Sequence, residues 1–190
     1  MDRIIVLMGP SMVGKTTIAK NISNKLGVNK ISTDTLCHNH TYHNDDEEEV
    51  IELFDDLRKY VIDANVKIVD IGSNTIENCG KKELDYLKKC LTIDGKEPIF
   101  YVLLPHENNN VSFSFLSLIA KKLHIYQKEV IDSLKESLTT DSFTYLKPKV
   151  IYTLKDYKKP LIFTTKSYYK HLENLSNNLI KDISLIKKQK

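Results

Sequence analysis

Nine consecutive residues, Gly9-Pro10-Ser11-Met12-Val13-Gly14-Lys15-Thr16-Thr17, have the types and spacing to hold a phosphate. The two glycines let the backbone curl until several N–H groups point at one centre. Lys15 has the length and charge to reach the outer phosphates of a nucleotide, and the Thr16 hydroxyl can ligate Mg2+. A second candidate is Asp34, in "KISTDTL" (30–36). A carboxylate there can take a proton from a substrate hydroxyl or hold a metal-bound water, or else Thr33 or Asp34 caps a helix. Asp70, after the apolar stretch "VKIV", can hold Mg2+ through a water. Arg58, in "LFDDLRKYVID", either neutralises an anionic group on a substrate or pairs with Asp55 or Asp56 on its own helix.

These residues need elements to position them. "IIVLM" (4–8) predicts a strand that is buried on both faces, and "KTTIAKNISNKL" (15–26) predicts an amphipathic helix stopped by Gly27. A strand, the phosphate loop and a helix in that order aim the positive helix end at the loop. Further strands are expected at 29–33, 66–72, 98–104 and 160–165. Helices are expected from the acidic run at 45–49 to about residue 65, and at 80–91, 111–123, 126–138, 141–156 and 170–187, with a polar loop at 35–45. Strands alternating with helices imply a parallel sheet covered on both sides within one domain, 1–190. Asp34 would then stand at the carboxyl end of the second strand, where open parallel sheets bind ligands.

The chain resembles the small P-loop kinases of the shikimate kinase and nucleoside-monophosphate kinase type. The phosphate loop followed by "LGVNKISTDTL" is similar to their loop, helix and short second strand ending in aspartate. The resemblance implies a three-layer P-loop NTPase fold of α/β class, with a five-stranded parallel sheet. It also implies that Asp34 meets the acceptor hydroxyl, that Arg58 grips a substrate carboxylate, and that Gly72 belongs to a glycine-rich substrate turn. Ser73 and Asn74 stand where the family has further glycines, and "LRKYV" stands where it has phenylalanine-arginine and then glutamate. "YKKPLIFTTKSYYKHLENLSNNLIKDI" is similar to the final strand, an adenine-side loop at Thr165–Ser167 and the closing helix. A substrate-side segment would span 35–65 and a lid-like segment 105–128. Such lids carry arginine. Here the segment holds lysines 121, 122 and 128, and the chain's two arginines are Arg3 and Arg58.

The implied activity is transfer of the γ-phosphate of ATP, with Mg2+, to a hydroxyl of a small metabolite. Lys15 and Asp34 would be catalytic, and Thr16 and Asp70 would hold the metal. A nucleoside or nucleotide kinase, or a nucleotide-binding regulatory protein with little transfer activity, are the alternatives. No Asn-Lys-x-Asp motif favours guanine, which points to ATP.

Composition sets the remaining bounds. With 41% apolar and 28% charged residues, the chain reads as an ordinary globular protein. A net charge of +3 is too small to argue for nucleic acid, and no apolar run approaches a membrane span. Cys37, Cys79 and Cys90 lack metal-type spacing and read as free thiols of a cytoplasmic protein, monomeric or homodimeric. His38, His40 and His43 read as part of a polar substrate-side loop and not as a zinc site. The ten tyrosines read as half-buried packing.

Overall fold

A computed structural model describes residues 2–40, 47–77, 79–122, 132, 145–154 and 165–188. The first strand, β1 (Ile5–Met8), is buried along its whole length. Its alternate side chains enter two different cores, Val6 and Met8 on one face, Ile5 and Leu7 on the other. That division is what an apolar run without polar alternation means in a strand covered on both sides. The phosphate loop follows and enters α1 (Lys15–Leu26), which ends at Gly27 in the left-handed conformation.

After α1 come β2 (Asn29–Ser32), α2 (Thr33–His40), α3 (Glu47–Asp63), β3 (Val66–Asp70), α4 (Ser73–Glu77), α5 (Lys81–Cys90) and β4 (Ile99–Leu104). The described chain continues with α6 (Asn109–Lys122), β5 (Lys149–Tyr152) and α7 (Thr165–Lys188). The strands form one sheet in the order β2-β3-β1-β4-β5, and every pairing is parallel. On one face, Leu53, Phe54 and Leu57 of α3 and Leu84 and Leu87 of α5 close over Val6, Val69 and Val102. On the other, Ile18 and Ile22 of α1, Leu116 of α6 and Leu172 and Leu179 of α7 close over Ile5, Ile68 and Leu103. The connection leaving β1 runs towards β2, whereas the one leaving β3 crosses β1 to reach β4. A crevice therefore opens at the carboxyl ends of β1 and β3.

Three sequence expectations are corrected here. The fifth strand is Lys149–Tyr152, inside a stretch that reads as helix. It is a four-residue edge strand with Val150 half exposed, so pairing with β4 makes it a strand, more than any pattern of its own. Residues 160–164 of the strand expected there lie outside the described residues, and Thr165 opens α7. Residues 35–40, read as loop, belong to α2, with Leu36 buried in the α3-side core. Thr165–Ser167, read as a loop, are the first residues of α7. The helix expected at 126–138 lies almost wholly outside the described residues.

Candidate functional site

The phosphate loop is shaped by contacts that leave no room for side chains. Gly9 has φ +133°, and a Cβ there would lie 2.2 Å from the Leu103 carbonyl oxygen. The neighbour is backbone, so it cannot yield. Gly14 has φ +100°, and a Cβ there would lie 2.6 Å from a Leu172 methyl on α7. Met12 also has a positive φ, 63°, so the loop places three residues in this region of backbone space and turns its amides inward. Tyr168, on the first turns of α7, donates its hydroxyl to the Val13 carbonyl at 3.0 Å. Its ring packs edge-on against Phe115 of α6. The two helices thus press the loop from outside. The sequence hid this part, since "SYYKH" reads as ordinary packing.

Lys15 is buried and donates to the carbonyls of Gly9 at 2.8 Å and Pro10 at 3.0 Å. Burial pushes its pKa down, while the charges of Asp70, Asp34 and Glu77 push it up. Thr16 donates to Oδ2 of Asp70 at 2.6 Å. Asp70 is 2% exposed, and its Oδ1 is buried with no hydrogen-bond partner. Burial raises its pKa, against the opposing pull of Lys15 and of the Thr16 hydrogen bond.

Asp34 is exposed in the first turn of α2, inside the helix and not ahead of it as a cap. Gly72 is the residue against it: a Cβ on Gly72 would stand 2.0 Å from Asp34 Oδ1. The Gly72 N–H donates to the Thr33 hydroxyl at 2.8 Å, which ties the exit of β3 to the start of α2. Ser73 and Ser11 share a hydrogen bond at 2.6 Å, tying α4 to the phosphate loop. Thr33, Ser73 and Tyr168 were not legible as site residues, because each acts through a contact distant in sequence.

The comparisons with known proteins bear on this geometry. The model of the ATPase family associated with various cellular activities (AAA) matches residues 5–70, from β1 through the phosphate loop to Asp70. No curated protein sequence is significantly similar to the chain. Among solved structures, a shikimate kinase from Acinetobacter baumannii in complex with shikimate aligns with a TM-score of 0.60 at 14% identity, over 99% of this chain and 96% of that one. This chain has the P-loop NTPase fold. A gluconokinase from Sinorhizobium meliloti 1021 aligns with a TM-score of 0.54 at 15% identity, over 95% and 97% of the two chains. The YorR protein of Bacillus subtilis, in complex with phosphorylated GDP, aligns at 0.57 and 15% identity, over 97% and 98%.

A P-loop NTPase fold implies a bound nucleotide and, with it, a divalent cation. The residues present fit such a cation. Asp70 offers a buried carboxylate oxygen that no protein group satisfies, and the Thr16 hydroxyl lies on its other oxygen. A hard cation takes oxygen donors of this kind.

The structure does not bring Arg58 to this crevice. Arg58 stands about one and a half turns before the end of α3, which returns the chain to the amino end of β3. Its guanidinium donates to the Cys90 carbonyl at 2.8 Å and the Lys89 carbonyl at 3.4 Å, at the last turn of α5. A cation on the exposed carbonyls of a helix C-terminus is favoured by the helix dipole, and that fixes the side chain there. Arg3 likewise serves the amino end of the sheet, donating to the Glu97 carbonyl at 2.7 Å. Both arginines of the chain are therefore remote from the P-loop.

The described part of the 105–128 segment is the loop 105–108 and α6, whose Phe115, Leu116 and Ile119 are buried in the α1-side core. Lys121 is exposed at its end, while the side chain of Lys122 and all of Lys128 lie outside the described residues. So do His43 and the side chains of His38 and His40. Among the described residues, no group of three metal-ligating side chains gathers, and no helix is long and apolar enough to cross a membrane.

Proposed function

We propose that this protein is a phosphotransferase that moves the γ-phosphate of ATP to a hydroxyl of a small metabolite. The observation that carries this reading is the position of Asp34. It is an exposed carboxylate just beyond the carboxyl end of β2, seated against Gly72 and near enough for its charge to be felt at Lys15.

The loop amides and Lys15 bind the outer phosphates, with Lys15 exchanging its two carbonyl partners for phosphate oxygens. Thr16 and Asp70 would hold Mg2+, which when bound neutralises charge on the β and γ phosphates. Asp34 accepts the proton of the acceptor hydroxyl as its oxygen attacks the γ-phosphorus, and the bond to the ADP oxygen breaks. General-base assistance of this kind is worth about 10²–10⁴-fold.

The test is ADP release from Mg·ATP across a panel of hydroxylated acceptors. Acceptor-dependent release, absent in Lys15→Ala, is expected. Asp34→Asn should lose transfer by at least about 10²-fold while nucleotide affinity stays within a few-fold of wild type. Equal loss of both would refute the role of Asp34. The remoteness of both arginines supports a second reading, a nucleotide-binding regulator with little transfer. An arginine at such a site contributes about 10³–10⁵ in rate. Nucleotide binding without stimulation by any acceptor would establish that reading instead.

A further inference from the structure

Adjacent residues at the exit of β3 are bonded in different directions. The Gly72 N–H donates to the Thr33 hydroxyl at 2.8 Å, and Asp34 lies against the same glycine. One residue on, the Ser73 hydroxyl lies 2.6 Å from the Ser11 hydroxyl of the phosphate loop. We infer that Ser73 is a positioning residue for phosphoryl transfer: through Ser11 it fixes where Asp34 stands relative to the phosphates that the loop holds. This inference rests on the phosphotransferase reading above.

The need for such a tie follows from the sheet. The pairing of β1 with β3 ends at Leu7 and Asp70, and the Ile71 N–H donates to the Leu7 carbonyl at 2.9 Å. From there the chains part, β1 into the phosphate loop and β3 into α4. The phosphates are held by the first and Asp34 is seated against the second, so their separation is set beyond the end of the pairing.

The contacts of Ser73 suit it to set that separation. At 2.6 Å the serine–serine bond is at the short end of the range for hydroxyl pairs. Ser73 is 4% exposed, which shields the bond from competing water. Thr75, on the same short helix and also buried, places its hydroxyl 3.4 Å from that of Thr33. Thr33 is thus held by Gly72 and by Thr75, and it directly precedes Asp34. Asp34 itself is exposed, so burial does not fix its carboxylate. Its place comes from the start of α2, which these contacts anchor.

The loop side says when the tie matters. The Pro10 carbonyl accepts from Lys15 at 3.0 Å, and that carbonyl belongs to the same rigid peptide unit as the Ser11 nitrogen. Once Lys15 exchanges it for a phosphate oxygen, this peptide unit loses the lysine, while the Ser73 hydroxyl stays on Ser11. The effect of Ser73 is therefore expected in turnover and not in nucleotide affinity.

The experiment measures kcat and KM for an accepted acceptor, nucleotide affinity by fluorescence titration, and urea unfolding. The variants are Ser73→Ala, Ser11→Ala, the two together, and each single change on Asp34→Asn. A base misplaced by about 1 Å costs about 10²-fold, so Ser73→Ala should lower kcat by about tenfold or more with nucleotide affinity within about threefold of wild type. Ser11→Ala opens the same bond from the other side and should lose as much, and the double variant no more than either alone. On Asp34→Asn, either change should move the residual rate by less than about twofold, because the base whose place they set is gone. A residue that only supports the fold would lower the rate again in that background, in step with lost stability. That further loss, losses that multiply in the double variant, nucleotide affinity falling in step with kcat, or a wild-type kcat in Ser73→Ala each overturn the inference and leave the phosphotransferase reading standing. If Ser73→Ala does not fold, Ser11→Ala decides alone: a wild-type kcat overturns the inference, and a tenfold fall that vanishes on Asp34→Asn supports it. No acceptor-dependent ADP release from the wild type, with nucleotide still bound, overturns both the inference and the reading beneath it.

Discussion

Replacing Gly72 by alanine should separate catalysis from binding with the smallest possible change. The added Cβ would stand 2.0 Å from Asp34 Oδ1 and 3.1 Å from its Cγ. To reach an ordinary contact of about 3.4 Å, the carboxylate oxygen must retreat by roughly 1.4 Å. Asp34 is exposed, so it can move, and Gly72 is outside the positive-φ region, so alanine brings no backbone strain. Stability should therefore change by less than about 1 kcal/mol. The bond from the Gly72 N–H to Thr33 survives, because Thr33 Oγ1 would meet the new methyl at an ordinary 3.4 Å. A base displaced by about 1 Å loses about 10²-fold in rate, so kcat should fall by that order while nucleotide affinity holds. The assay is coupled ADP release with an accepted acceptor, beside fluorescence titration of nucleotide and urea unfolding. Gly27→Ala is the control. Nothing lies within 4 Å of that site, but φ is +63°, so it should cost about 1 kcal/mol of stability and leave kcat alone. Wild-type kcat in Gly72→Ala would refute the claim that Gly72 places Asp34 for proton transfer. A parallel fall in nucleotide affinity would mean that the strain spreads to the phosphate loop.

Two further outcomes are expected. Tyr168→Phe removes the hydrogen bond to the Val13 carbonyl and should cost about 1 kcal/mol in urea unfolding, with a few-fold loss of nucleotide affinity; unchanged affinity would refute the pressure of α7 on the loop. Asp182 is held below the usual carboxylate range by the hydrogen bonds from Lys149 and Tyr101. A carboxyl lowered by folding stabilises the fold at and above the ordinary carboxylate range, and that contribution is lost as pH falls through the lowered value. Asp182→Asn should thus reduce stability near neutral pH by less than about 1 kcal/mol, the pair being part exposed, and should flatten the loss seen as pH falls through and below the ordinary carboxylate range. An unchanged acid slope would show that the pair contributes nothing.

The phosphate loop could be read from the sequence because its chemistry is local. Tight backbone turns, an inward lysine and a metal-binding hydroxyl must be contiguous, so residues 9–17 announce themselves. Strands β1 and β4 were legible for a related reason: burial on both faces demands an unbroken apolar run. Asp34 and Gly72 could each be named from sequence, yet their contact could not. It depends on β2 and β3 being paired in the register that sets Ser32 beside Asp70. Arg58 misled for the same reason in reverse. Its helix was expected correctly, but the end of the sheet that it reaches depends on where α3 delivers the chain and on which carbonyls α5 leaves exposed. β5 was hidden because four residues on a sheet edge take their conformation from β4. The sequence by itself determined the phosphate cradle and the alternating α/β order. Tertiary structure alone decided which of these residues meet, since such contacts are set by elements that come together from distant parts of the chain.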